Sequence, residues 1–240
     1  MTETRIVDQP AFVLHSKKYR ETGLLLDCFS RDYGRLPIIA NGVRTEKSKT
    51  AALLQPFQPL SISCLGRGEL KTLVSADWAM SALSLTGKVL YCGFYINELT
   101  TVFLHQYDPH PDVFAAYYQC LNLLSQNNSE EILAIEAALR HYEWVLLHNV
   151  GFGLTLDYDA ATGQPVNDQQ YYRFIAGQGV FEDSHGHYPG HTLLQIMACD
   201  FAQRDTLLAA KQLFRAAIDE QLQGRRLNSR HVMNQIIKTL

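Results

Sequence analysis

The 240-residue chain has no uninterrupted apolar run approaching the roughly 20 residues that a membrane helix requires. Its first nine residues are polar and carry no apolar signal core, so secretion is not expected. Cysteine is scarce and scattered. Cys28, Cys64, Cys92, Cys120 and Cys199 are odd in number and show no C-x-x-C spacing. That argues against a disulfide framework and against a cysteine-built zinc site, and it points to a reducing cytoplasm. Nucleotide-handling motifs are missing as well: no G-x-x-x-x-G-K-[ST], no strand-to-helix G-x-G-x-x-G and no G-x-S-x-G elbow. Gly66-Arg67-Gly68 is too short to cradle a nucleotide. Glu130 and Glu131 fall at an expected helix start, where the helix dipole accounts for them. No catalytic residue, no cofactor and no enzymatic activity are expected.

What is present is an ordinary globular composition, 47% hydrophobic and 19% charged with a mean hydropathy of −0.11. The net charge of −3 hides an uneven distribution. Residues 1–80 carry eleven Lys/Arg against eight Asp/Glu, residues 81–210 four against fourteen, and residues 211–240 six against two. Two basic ends around an acidic middle fit different partners for different parts of the chain, although charge alone fits a chance fluctuation equally well.

The first 80 residues read as β-structure, with short apolar or alternating runs at 11–19, 23–29, 35–40, 60–65 and 70–76. Asp32-Tyr33-Gly34, Asn41-Gly42 and Gly66-Arg67-Gly68 supply turns, and 48–54 reads as one short helix. Five strands with a helix after the third is the order of an OB-fold, and an SH3-like barrel fits the strand count nearly as well. Beyond residue 80 the period becomes helical. Val89, Cys92, Ile96, Leu99, Phe103 and Tyr107 form one stripe, and Phe114, Tyr117, Leu121 and Leu124 the next. Asn128 and Glu131 suggest a capping box for a helix through Leu139 and Leu146. Asp205 suggests the cap of another, and Ser229 the start of the last. Residues 155–190 break the period. The expectation is an α+β protein: an N-terminal five-stranded OB-fold barrel over 1–80, then an all-helical C-terminal domain over 81–240 with an irregular insert.

Two constellations carry chemistry. His185, His187 and His191, with Asp157, Asp159, Glu182 and Asp183 near in sequence, are a weak metal candidate, because they match no common zinc spacing. The stronger set is basic. Lys17, Lys18 and Arg20 end the first strand, Arg31 and Arg35 flank a turn, Arg44, Lys47 and Lys49 crowd the long connection, and Arg67 and Lys71 sit on the last hairpin. Cations along one groove neutralise phosphates and release counterions. Tyr19 and Tyr33 stand beside them in sequence and offer faces for unpaired bases. A solvated basic rim is the competing interpretation.

Ala11-Phe-Val-Leu-His-Ser16, Glu21-Thr22, Gly34-Arg35, Gly42-Val43-Arg44, Leu54-Gln-Pro-Phe57 and Gly66-Arg-Gly-Glu-Leu-Lys-Thr72 resemble the bacterial recombination mediator family RecO. Tyr95-Ile-Asn-Glu-Leu99, Gly151-Phe-Gly153, residues 207–211 and Leu227-Asn-Ser-Arg230 continue the likeness, in order, over nearly the whole chain. The resemblance implies an OB-fold on a helical domain. It also implies a nucleoid-associated DNA repair protein of the RecF pathway that binds single- and double-stranded DNA and anneals strands without ATP. Such proteins help RecA load on strands covered by single-strand binding protein, with RecR and the acidic, apolar C-terminal tail of that protein as partners. Arg140 matches, counted back from Gly151, an arginine that the family uses for this tail. Its competing interpretation is a helix arginine paired with Glu136 or Glu143. Many members carry a four-cysteine zinc module where this chain has 156–163 and 179–183, and both stretches lack cysteine. The alternative function is an RNA-binding or translation-associated OB protein.

Overall fold

The structure is a computed structural model and describes residues 4–45, 48, 50–126 and 131–239. It divides into two compact units, 1–126 and 127–240.

In the first unit five strands close a barrel: β1 (Thr4–Tyr19), β2 (Gly23–Ser30), β3 (Gly34–Ala40), β4 (Leu60–Gly66) and β5 (Lys71–Trp78), in the order β1-β2-β3-β5-β4. All neighbours are antiparallel except β3 and β5, which is the OB arrangement. The short helix α1 (Thr50–Leu53) lies between β3 and β4, as expected. Strand β1 starts seven residues before the alternating run seen in the sequence. Its first half pairs with β4 and its second half with β2, with register shifts between Ile6 and Gln9 and between Val13 and His15. Inward-facing Ile6, Ala11, Val13, Leu26, Cys28, Leu36, Ile38, Ile62 and Cys64 fill the barrel. Burial pushes the Cys28 thiol up, and all five cysteines are free.

Phe12 and Phe29 are register partners on β1 and β2 that point out of the barrel, yet both are buried. They meet Phe114 and Tyr117 of α3 (Pro111–Gln126) with ring centroids 5.0–5.8 Å apart. Helix α2 (Gly87–Phe103) is tied in by Asn97, whose Nδ2 donates to the Leu14 carbonyl at 2.9 Å and whose Oδ1 accepts from the Tyr117 hydroxyl at 2.5 Å. The change of period near residue 80 therefore falls inside this unit, because α2 and α3 cover one face of the barrel. Tyr107, expected on the α2 stripe, lies past its end with φ +61°.

The second unit holds α4 (Ile132–Asn149), α5 (Gly190–Met197), α6 (Arg204–Gln221) and α7 (Asn228–Thr239). Asn128 lies outside the described residues, and Glu131 makes no side-chain cap bond. Asp205 falls within the first turn of α6 rather than capping it, where its charge complements the dipole. The insert, expected to be irregular, contains a sheet of β6 (Tyr171–Ile175), β7 (Gly179–Glu182) and β8 (Tyr188–Pro189), in the order β7-β6-β8. Strands of five, four and two residues are too short to show a period.

Arg35 joins barrel and helix within the first unit. Its guanidinium bonds Asp27 on β2 at 2.5 and 3.3 Å and donates from Nη1 to the carbonyls of Thr101 and Leu104 at 2.7 and 2.8 Å. Those carbonyls close the C-terminus of α2, where the helix itself supplies no donor. The ion pair is mostly buried, with side-chain exposures of 11% and 22%. Breaking such a pair leaves an uncompensated charge, so Arg35→Ala is expected to lower unfolding free energy by about 3 kcal/mol in denaturant titrations. A variant of parental stability with weakened DNA binding would instead make Arg35 a phosphate contact.

Candidate nucleic-acid interface

Strand register decides which cations share a surface. Leu24 pairs with Ala40 and Ile38 with Lys71, so the β1–β2 turn, the end of β3 and the β4–β5 turn lie at one end of the barrel. The turn after Tyr19 is tight. A Cβ on Gly23 would approach the Tyr19 carbonyl oxygen to 2.9 Å, and Arg20 takes φ +51°. Lys17, Lys18, Arg20, Arg44 and Arg67 are all exposed at this end. Arg44 Nη1 reaches the Arg20 carbonyl at 3.5 Å, which brings the first and third basic groups of the sequence together.

Other candidates are placed differently. Lys71 is 5% exposed, donates to the Gly66 carbonyl at 3.2 Å and lies 5.9 Å from the Tyr107 ring centroid. Tyr107 in turn bonds the Glu69 carbonyl through its hydroxyl, so Lys71 braces the β4–β5 turn. Arg35 is engaged as described above. Lys47 and Lys49 lie outside the described residues. Tyr19 is half-buried with the Arg20 guanidinium 5.1 Å over its ring. Tyr33 is exposed, but it sits in the β2–β3 turn, roughly 25 Å along an eight-residue strand at ~3.3 Å per residue from Arg20. Its turn holds the Arg31–Asp32 pair at 2.8 Å. The hydrogen bond from Arg31 holds the Asp32 carboxyl below its usual range.

Sequence reasoning missed one residue. Arg5 is exposed and pairs in register with Leu65, beside the β4–β5 turn. Its signal is the β-branched pair Ile6-Val7 beside it, ahead of the run at 11–19.

In the second unit Arg140, which the resemblance assigns to tail binding, is 5% exposed and its Nη2 bonds Glu143 at 2.5 Å. Glu136, the other neighbour at helical spacing, pairs with Lys211 at 2.6 Å. A buried ion pair is costly to break and often neutral to replace whole by apolar residues. Arg140→Ala is therefore expected to lose about 3–5 kcal/mol of stability, and Arg140→Met with Glu143→Leu to recover most of it. Loss of tail-peptide binding in a double variant of parental stability would give Arg140 a docking role as well.

The donors needed for the zinc that the resemblance raises are not brought together. His185, His187 and His191 are exposed, and among the described residues no three His, Cys, Asp or Glu side chains group as an ion needs. Of the acidic neighbours, Asp159 is 4% exposed, with both carboxylate oxygens turned to N–H or O–H donors. The residues here do not fit a zinc ion. The Glu182 N–H first, then Thr162 and Ala161, hold the Asp159 carboxyl below its usual range. A depressed carboxyl stabilises the fold above its unfolded value of about 3.9, and that contribution is lost as pH falls through the lower folded value. In acid titrations followed by amide exchange, protection at Thr162 and Glu182 is expected to persist to pH ~4 and fail below it.

No helix among the described residues is long and apolar enough to cross a membrane. Comparison with known proteins gives the same reading over both parts of the chain. The model for the recombination protein O N terminal matches residues 1–82, and that for its C terminal matches 85–231. The chain is 38% identical over 239 residues to the DNA repair protein RecO of Polynucleobacter necessarius, covering 97% of this chain and 98% of that one. It is 38% identical to the protein of that name in Aromatoleum aromaticum, over 97% of both chains, and in Yersinia pestis, over 95% of both. With both family models matched in order and such relatives aligned nearly end to end, the chain belongs to the RecO family of DNA repair proteins.

Proposed function

We propose that this protein is a non-enzymatic mediator of DNA repair by recombination, binding single- and double-stranded DNA at the cationic end of its barrel. It anneals complementary strands without ATP and helps RecA load on strands covered by single-strand binding protein, with RecR and the acidic tail of that protein as partners. The observation that carries the reading is the group of exposed cations at one end of the barrel: Lys17 and Lys18 at the end of β1, with Arg20, Arg44 and Arg67 on the neighbouring turns. Arg5 extends it by one strand. The names of the relatives, DNA repair protein RecO, support the same assignment.

The mechanism is electrostatic. Two strands repel through their phosphates, and cations held on one rigid end of a barrel lower that repulsion while releasing counterions. Such contacts position a strand without reading its bases, so any sequence serves. Tethering to the tail of single-strand binding protein raises the local concentration of the strands to be joined.

Replacing Arg20, Arg44 and Arg67 together with Ala should weaken binding to every sequence. It should also lower the slope of log K against log salt by roughly 2 to 3 units, the loss of three phosphate contacts. An unchanged slope would move the DNA site off this end of the barrel. Equal affinity for structured RNA, with no annealing, would favour the RNA-binding alternative.

A further inference from the structure

Residues 156–163 and 179–183 meet around one side chain. Asp159 Oδ1 accepts from the backbone N–H of Ala161 at 3.0 Å and of Thr162 at 2.7 Å, and from the Thr162 hydroxyl at 2.8 Å. Its Oδ2 accepts from the Glu182 N–H, 23 residues away, at 2.5 Å. Backbone bonds run alongside: Ala160 N–H to the Val180 carbonyl at 2.7 Å, and Gly163 N–H to the Asp159 carbonyl at 2.8 Å.

We propose that the Asp159 carboxylate is a metal-free fastener, clamping these two segments where relatives with a cysteine module hold an ion. Three observations lead there. First, the donors have the wrong sign for a cation: four hydrogens converge on the carboxylate, so an ion could approach only by displacing them. Second, Asp159 itself is buried while its donors lie at the surface, so its oxygens are largely shielded from competing water and each charge-assisted bond gains. Third, the insert has little else to hold it. Its buried apolar side chains are few, chiefly Leu156, Val166, Tyr172 and Val180, and a substructure of that size needs a staple of some kind. Tyr172 adds a smaller one, its hydroxyl accepting from the Asn167 N–H at 2.8 Å.

The clamp differs from a metal in what can open it. A zinc site opens to chelators and to thiol oxidation, because its thiolates are both ligand and oxidisable group. A buried carboxylate bound to backbone N–H groups is indifferent to both. The Asp159 fastener therefore makes the insert of this protein independent of zinc supply and of thiol redox state.

The test uses the full chain and reads backbone amide exchange, melting temperature and metal content. In the parent, the melting temperature should be the same with chelator and with added zinc, and exchange at Thr162 and Glu182 should be slow. Asp159→Ala should speed exchange at both amides by about tenfold or more, as loss of bonds to a charged group implies. Asp159→Asn guards against a variant that fails to fold. Its amide keeps one acceptor oxygen but turns N–H hydrogens on one donor, so Glu182 should lose protection while Thr162 keeps most of its own. One tightly held zinc per parent chain, a chelator-dependent melting temperature, or parental exchange at both amides in the Asn variant would overturn the proposal.

Discussion

One guanidinium sets the plan of the first unit. Arg35 leaves β3, meets Asp27 across the strand pair and ends on the last carbonyls of α2. With that helix end satisfied by the barrel, the segment after it can lie against β3: the Tyr107 N–H donates to the Arg35 carbonyl at 3.0 Å. The approach is so close that residue 34 has no room for a side chain, a Cβ there falling 2.2 Å from the Asp108 carbonyl oxygen. Fixing α2 in turn fixes Asn97, and through it Tyr117 and the aromatic cover over Phe12 and Phe29. Bonds at one end of β3 thus decide which face of the barrel the helices close.

The same arrangement sorts the positive charges by task. Cations that hold the protein together are the buried ones, Arg35 and Lys71 in the first unit and Arg140 in the second, each bonded to a carboxylate or carbonyl. Those left in water at the β1–β2 and β4–β5 turns keep their hydration and their field, which a polyanion can use. Burial, more than charge count, separates a structural cation from one available to a ligand.

Much of this was legible in the sequence. Strands with clean alternation between Gly- and Asp-containing turns were read close to their ends, and the OB order followed from them. The pairing of Arg140 with Glu143 was visible as helical spacing, though its burial was not, because that depends on what α4 packs against. Arg35 read as one more cation on a basic surface, since its helix partners lie 66 and 69 residues away. Tyr33 was grouped with Arg20 by proximity in sequence, and a strand between two turns carries them to opposite ends. In the insert, Asp159 read as one carboxylate among several. Nothing local marks a side chain whose essential donor, Glu182, comes from a distant hairpin.

The claim at the centre is that a barrel with one face closed by helices presents a cationic end that brings DNA strands together. Its most direct measurement is annealing of complementary oligonucleotides coated with single-strand binding protein, in the absence of nucleotide. Duplex should form at a rate that rises with this protein and falls steeply with salt. Annealing that required ATP, or that never exceeded the protein-free rate at low salt, would contradict the claim.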